Sequence, residues 1–232
     1  INNPMKQIFG VINNNIKLNK KGEKMLELNK IYNMDCIEYM KTLPDKSINL
    51  IIADPPYYGI VKEDWDNQWK TEDDYLLWCE EWIIQSARIL KDNGAIYCWG
   101  CFGENNIVFA KLAIIFEKYF KIKNWINWRH EYGFRGKTNY SYKKEELLYC
   151  VKNQKDYIFN HEEIKEPATR SGATENDKRV PSNIWEFPWN NMSKERVKGF
   201  PCQKPLASAE RMIKASSNEG DLVYIPFAGS GS

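Results

Sequence analysis

The most constraining feature of this 232-residue chain is a stop: the apolar run Ile48-Asn49-Leu50-Ile51-Ile52-Ala53 ends abruptly in Asp54-Pro55-Pro56-Tyr57-Tyr58-Gly59. A short run of that kind, without helical period and closed by two prolines, predicts a buried parallel strand that ends at a sheet edge. In open α/β sheets ligands bind beyond the carboxyl ends of the strands, so Asp54 is a candidate site residue on position alone. Pro55 and Pro56 have no N–H and a fixed φ, so the segment presents carbonyl oxygens and a carboxylate with no competing donors. Such an acceptor-only clamp suits an –NH₂ group with two hydrogens to give, and Tyr57 adds a flat face for a planar ring. The same residues also suit a plain turn after a strand, and taken alone they leave both readings open.

At 232 residues and 43% hydrophobic, the chain suits one enzyme-sized domain, or a domain with an insertion. Lys+Arg of 33 against Asp+Glu of 31 gives a net charge of only +2, so any basic footprint for nucleic acid must be local. Cys36, Cys79, Cys98, Cys101, Cys150 and Cys202 show no secreted-scaffold spacing and read as reduced and intracellular. Cys98-Trp99-Gly100-Cys101 is formally a C-x-x-C, but with no second pair and little His it gives no metal site. No run is long and apolar enough to cross a membrane, and no signal-peptide pattern opens the chain.

Residues 1–24 are rich in Asn and Lys and lack sustained periodicity, which predicts an arm poorly tied to a domain over 25–232, with Met25 as the better start. A strand over 28–33, a helix over 36–43 and the turn Pro44-Asp45-Lys46-Ser47 form a β-α-β unit, which places Asp35 on the same edge as Asp54. Tyr58 to Lys70 is polar, aromatic and non-periodic, predicting a mobile loop beside the site. Thr71-x-x-Asp74 reads as a capping box that opens a helix ending at Asn93-Gly94, followed by a strand over 95–99. A helix over 104–119 and strands over 122–128 and 146–151 come next.

The excursion between those strands, 129–144, carries Arg129, His130, Arg135, Lys137, Lys143 and Lys144 with Tyr132, Phe134, Tyr140 and Tyr142 interleaved. Basic and aromatic residues together on a loop suit phosphates and an unstacked base, although a charge run is more often a solvated surface. After a weakly patterned polar region over 152–182, Leu206 to Ala215 reads as a helix and Asp221 to Ile225 as a strand. The strand leads into Pro226-Phe227-Ala228-Gly229-Ser230-Gly231, a glycine turn that lets backbone approach a ligand.

Asp54-Pro55-Pro56-Tyr57 after such a strand resembles the catalytic motif of the S-adenosylmethionine-dependent DNA amino-methyltransferases. Several further segments are similar to that family: Asn33-Met34-Asp35-Cys36, the Arg88-Ile89-Leu90-Lys91-x-x-Gly94 turn, Asn183 to Pro188, Gln203-Lys204-Pro205 and the glycine turn after Ile225. Phe200, Cys202 and Ile225 depart from the family pattern, standing where His, Thr and Asp are usual. The order, catalytic motif first and cofactor motifs last, is that of the beta class. The resemblance implies an α/β, Rossmann-like sheet, mostly parallel with an antiparallel edge strand, circularly permuted, with a short target-recognition region at about 152–182. The chain stops at Ser232 inside the glycine turn, so the next helix and an inner strand are expected to be missing.

By the same resemblance, Asp54, Pro55, Pro56 and Tyr57 are catalytic, and Asp35, Cys36, Asp54, Gln203, Lys204, Pro205, Pro226, Phe227, Gly229 and Gly231 hold S-adenosyl-L-methionine. Arg129, Arg135, Lys137, Lys143 and Lys144 contact double-stranded DNA. The activity implied is methyl transfer to adenine N6 on a flipped-out base. Cytosine N4 and a DNA-binding chain without catalysis are the alternatives. A homodimer and a cognate restriction endonuclease are partners the resemblance allows, in the cytoplasm of a prokaryote or a phage-infected cell.

Overall fold

The computed structural model describes residues 8–12 (backbone only), 28–60, 62–102, 107–130, 140–169, 171–174, 176–187, 197–198, 200 and 202–229. The helices are α1 (Cys36–Lys41), α2 (Glu72–Ile89), α3 (Val108–Tyr119) and α4 (Leu206–Ser216). The strands are β1 (Ile8–Ile12), β2 (Lys30–Asn33), β3 (Ile48–Ala53), β4 (Leu90–Gly100), β5 (Lys121–Arg129), β6 (Lys144–Val151), β7 (Glu166–Pro167), β8 (Lys178–Arg179), β9 (Ile184–Glu186) and β10 (Val223–Ile225). Eight of them form one sheet in the order β2-β1-β10-β3-β4-β6-β5-β9, and β7 and β8 form a separate hairpin.

All six residues of β3 are buried, as a strand covered on both faces must be. It pairs in parallel with β10 on one side and β4 on the other. The pairings leave six of the eight strands pointing one way; the exceptions are β1 and β6, each antiparallel to both neighbours. The expected antiparallel strand is therefore interior, because β6 sits between β4 and β5 and parallel β9 covers the rim. Ile8–Ile12 of the leader pairs with β2 and β10, so β2 is not the direct neighbour of β3. The rest of residues 1–24 lies outside the described residues.

Side-chain alternation divides the core into two layers. Ile51, Ala53, Ile96, Cys98, Leu148 and Cys150 face α1, α2 and α3, where Met40, Trp82 and Phe116 fill the space. Leu50, Ile52, Tyr97, Trp99, Leu147 and Tyr149 face the other side, covered by Trp185 and by Met212 of α4. The Thr71 capping box forms as read, with the Thr71 hydroxyl and the Asp74 carboxylate each accepting the other residue's backbone N–H. The helix ends at Ile89, not at Asn93-Gly94, because Leu90 already pairs with Ile48 and the strand begins there. Arg88 fixes that corner by donating to the carbonyls of Met40 (2.6 Å) and Leu43 (2.8 Å) at the end of α1.

At Gly100 any side chain would overlap the ring of Phe109, which is itself buried against α3's neighbours. Gly100→Ala is therefore expected to cost about 2 kcal/mol through overpacking, read as a lower thermal midpoint with unchanged far-UV dichroism. An unchanged midpoint would mean that Phe109 can move aside freely.

Candidate active site

Because β3, β4, β5 and β10 run in one direction, their carboxyl ends meet at one edge of the sheet, and antiparallel β6 begins there. The chain thereby gathers Asp54 from the end of β3 and Glu145 from the start of β6. Lys204 joins them from the loop before α4, its Nζ 3.1 Å from Asp54 Oδ2 and 3.1 Å from Glu145 Oε2. The Tyr57 hydroxyl donates to Asp54 Oδ1 (2.7 Å) and lies 3.2 Å from Glu145 Oε2. The Lys204 ammonium lies over the rings of Tyr57 (5.1 Å) and Trp99 (5.6 Å). Lys204 is only 11% exposed in its side chain, so a buried cation sits between two carboxylates and two aromatic faces.

The electrostatics follow from that crowding. Burial pushes the Asp54 carboxyl above its ordinary value, while the Lys204 charge and the Tyr57 hydroxyl pull it back down. Burial opposes the charge on Lys204 as well, but Asp54 and Glu145 overcome it and hold the ammonium firmly protonated. The Tyr57 phenol is pushed well up by burial and by the two neighbouring carboxylates, so it acts as a donor and not as a base.

The loop after Tyr57 is anchored, contrary to the mobile loop read from its composition. Asp66, fully buried, accepts from the backbone N–H of Tyr57 (2.6 Å), Tyr58 (3.0 Å) and Ile60 (2.6 Å). The turn passes through positive φ at Tyr58 (64°) and Gly59 (71°), which leaves these N–H groups pointing inward with no ladder partner. Tyr58 stacks on Tyr75 at 5.4 Å, and the Tyr75 hydroxyl donates to the Pro56 carbonyl (2.7 Å). Of the two proline carbonyls expected to face a ligand, Pro56 is thus already engaged.

The sequence profile of a family described as DNA methylase matches residues 48–232, from β3 through the glycine turn. The chain belongs to the DNA methylase family. It is 35% identical over 205 residues to the type II methyltransferase M.HpaI of Haemophilus parainfluenzae, covering 85% of this chain and 63% of that protein, somewhat under two thirds of its length. To the DNA adenine methyltransferase YhdJ of Escherichia coli (strain K12) it is 34% identical over 221 residues, covering 88% of this chain and 72% of that one. The solved M1.HpyAVI–SAM complex shares the fold, with a TM-score of 0.54 at 23% identity over 86% of this chain and 82% of that chain.

Within this DNA methylase fold the residues assigned to a cofactor are spread along the same edge, with different degrees of freedom. Asp35 caps α1, but both backbone N–H groups it accepts, from Ile37 and Glu38, fall on Oδ1. Cys36 is fully buried beneath it and serves packing. Gly229 has φ +52° and open space on every side a Cβ would take. Pro226 is buried, and Phe227 packs into the core against Trp78 (5.8 Å) and Trp82 (5.4 Å) instead of lining an open face. Gln203 accepts from the Val197 N–H (2.8 Å) and Pro205 caps α4, so these two shape the loop that delivers Lys204. Lys204 itself, assigned to the cofactor, is placed between Asp54 and Glu145.

Of the basic residues, Arg129 and Lys144 stand opposite each other in register where β5 and β6 meet this edge. Arg129 pairs with Glu186 (2.8 Å) and Lys144 with Glu146 (2.8 Å). The Lys143 carbonyl accepts from the His130 N–H (3.0 Å), closing the base of the excursion. Arg135, Lys137 and Gly231 lie outside the described residues. Sequence reasoning missed Asp66 and Glu145.

Proposed function

We propose that this chain transfers a methyl group from S-adenosylmethionine to an exocyclic amino nitrogen in double-stranded DNA, and that the nitrogen is N6 of adenine. The observation that carries the reading is the Asp54 carboxylate at the end of β3, held between Lys204 and the Tyr57 hydroxyl in the motif that the DNA methylase profile matches. The intact acidic cluster speaks against a chain that binds DNA without catalysis. Asp at the first motif position and the adenine specificity named for YhdJ favour adenine over cytosine N4.

The edge of the sheet fits the cofactor: Asp35 keeps Oδ2 beyond the helix cap, and the open side of Gly229 lets backbone approach closely. Asp35 and Gly229 would hold it, and when bound it supplies an electrophilic methyl group on sulfonium sulfur. Asp54 does the work at the other reactant. An aromatic amine's lone pair is delocalised into its ring, so a hydrogen bond from N–H to Asp54 raises its nucleophilicity and offsets the positive charge that develops on nitrogen. The Pro55–Tyr57 segment, locked by Asp66 and Tyr75, holds that acceptor in a fixed direction and keeps water out. No covalent intermediate on the protein is required. Reaching the base calls for flipping it from the stack, at a few kcal/mol that the Tyr57 face partly returns.

The test is to incubate the purified chain with methyl-labelled S-adenosylmethionine and unmethylated DNA, then to identify the labelled nucleoside. N6-methyladenine is expected; N4-methylcytosine would move the assignment to cytosine, and no label would refute it. The proposal extends to a cognate restriction endonuclease, in keeping with the type II name of M.HpaI. Arg129, Lys143 and Lys144 are read as phosphate-binding residues together with Arg135 and Lys137. Charge-neutralising substitutions of Arg129 and Lys143 should weaken binding to all duplexes alike and flatten the salt dependence by about one unit for each phosphate no longer neutralised. Weakening confined to one sequence would make them base-reading residues.

A further inference from the structure

We propose that the lysine-lined groove between the start of β5 and the end of β6 binds backbone phosphates of the DNA duplex, at a distance from the target base. This rests on the methyl-transfer reading above for the identity of the macromolecule, and adds a contact at the end of the sheet opposite the site.

The groove has a volume of about 620 Å³ and is lined by Lys121, Lys123, Lys152, Asn153, Gln154 and Lys155, four cations and two amides with no carboxylate. That is unusual for this surface. Lys41, Lys46, Lys111, Lys118, Lys165 and Lys214 each sit beside a carboxylate. Lys121, Lys123 and Lys155 pair with no carboxylate among the described residues. Asp92 acts on Lys152 through space but is already paired with Lys46 at 2.7 Å. Asp156 follows Lys155 in the chain without lining the groove. Uncompensated charge gathered in one place is a binding surface for an anion.

The four lysines are arranged before any ligand arrives. Lys152 donates to the carbonyls of Ala87 and Leu90 (3.4 Å to the latter) at the end of α2, so its first service is to the fold. Lys123 lies over the Tyr157 ring at 4.7 Å, which places its ammonium without neutralising it. The Asn153 side chain accepts from the Lys155 N–H (3.0 Å), and the Ile158 N–H donates to the Asn93 carbonyl (3.3 Å), which fixes the turn that carries Lys155. Ammonium and amide donors together are the set that phosphate oxygens take.

Position selects a duplex over a small anion. Arg129 and Lys144 face each other at one end of the β5–β6 pair, and Lys121 opposite Val151 marks the other. The strand between Arg129 and Lys121 is about 26 Å long at roughly 3.3 Å per residue, which is about eight base pairs of DNA. Duplex DNA is stiff over far greater lengths, so a rod lying along β5 and β6 meets both basic ends. The rim is open on that side, since among the described residues β9 covers β5 only over Asn127–Arg129.

The experiment is equilibrium binding of the full chain to two duplexes that share the site the parent modifies, one extending about four base pairs on either side and the other about twelve. Lys121→Gln, Lys123→Gln and Lys155→Gln are combined, and Lys152 stays in place so that α2 keeps its cap. The parent should bind the long duplex more tightly than the short one. The triple variant should lose about tenfold on the long duplex and flatten its salt dependence by roughly three units, one for each phosphate released, while the short duplex keeps its affinity. Lys121→Arg, Lys123→Arg and Lys155→Arg together keep the charge and should keep the advantage of the long duplex. Single-turnover methylation at saturating DNA should stay within about threefold of the parent, because the groove touches none of the reacting groups. An equal loss on both duplexes would place the contact beside the target base and overturn the distant one. Unchanged affinity for the long duplex would overturn the assignment, with or without binding of inorganic tripolyphosphate to the groove, and would leave methyl transfer standing. A parent chain that neither binds nor methylates duplex DNA would overturn both.

Discussion

Asp54→Ala is expected to lower methyl transfer at least ~1000-fold while affinity for DNA changes by less than about threefold. The asymmetry follows from where the two energies reside. Affinity for duplex DNA comes mainly from phosphates meeting basic side chains, and those proposed for that role belong to the segment between β5 and β6 and to the opposite end of that strand pair, not to β3. The proposed chemical step depends on a carboxylate aimed at one N–H bond. Burial raises the Asp54 carboxyl, and Lys204 at 3.1 Å and the Tyr57 hydroxyl at 2.7 Å oppose that rise. Removing it takes one carboxylate from Lys204, leaving Glu145 at 3.1 Å, and takes the 2.7 Å acceptor from the Tyr57 hydroxyl, leaving Glu145 at 3.2 Å. Asp54→Asn tests the charge with the shape conserved and should lose nearly as much, because an amide both accepts weakly and offers a donor where the amine also donates. The measurements are single-turnover rates at saturating cofactor and equilibrium binding to the same duplex. Turnover within tenfold of the parent would remove Asp54 from the mechanism.

What the sequence disclosed and what it hid divide along physical lines. β3 and its stop were legible because burial on both faces demands continuous apolar residues and two prolines cannot continue a ladder. The Thr71 cap was legible because its partner is three residues away. The end of α2 was misplaced because Asn93-Gly94 has the local chemistry of a helix stop, whereas the actual stop is imposed by pairing of Leu90 with Ile48, forty residues off. The strand in the leader was hidden for the same reason: its partners include Ile225, more than two hundred residues away. Glu145 stands at the first turn of alternation in β6, where the surrounding lysines drew attention to phosphates. Lys204 was found, but its motif context suggested the cofactor, and only the geometry joins it to Asp54 and Glu145. Asp66 had a signal that could have been used. A chain that leaves two prolines through Tyr58-Gly59 must turn back on itself, and the N–H groups of such a turn need an acceptor from nearby in sequence.

That anchor carries the second large effect. Asp66→Ala should destabilise the protein by about 3 kcal/mol, since three backbone donors lose a buried charged acceptor at once. In a domain of this size that corresponds to a thermal midpoint lower by roughly 6–12 °C. The two carboxylate oxygens are used separately: Oδ1 accepts from Tyr57 and Tyr58, and Oδ2 accepts from Ile60. Asp66→Asn can therefore keep the first two bonds with its carbonyl oxygen but must set an –NH₂ against the Ile60 N–H, so it should fall between the parent and the alanine variant. The turn cannot relax cheaply, because Tyr58 already sits at φ 64° and holds its place by stacking on Tyr75. Freed from Asp66, the Tyr57 backbone is no longer fixed at 2.6 Å, and its hydroxyl drifts from the Asp54 carboxylate that it orients. Activity should then fall further than the loss of folded protein explains, measured at a temperature where dichroism shows the variant fully folded. An Asp66→Ala midpoint within about 2 °C of the parent would show that the loop is held by its aromatic contacts alone.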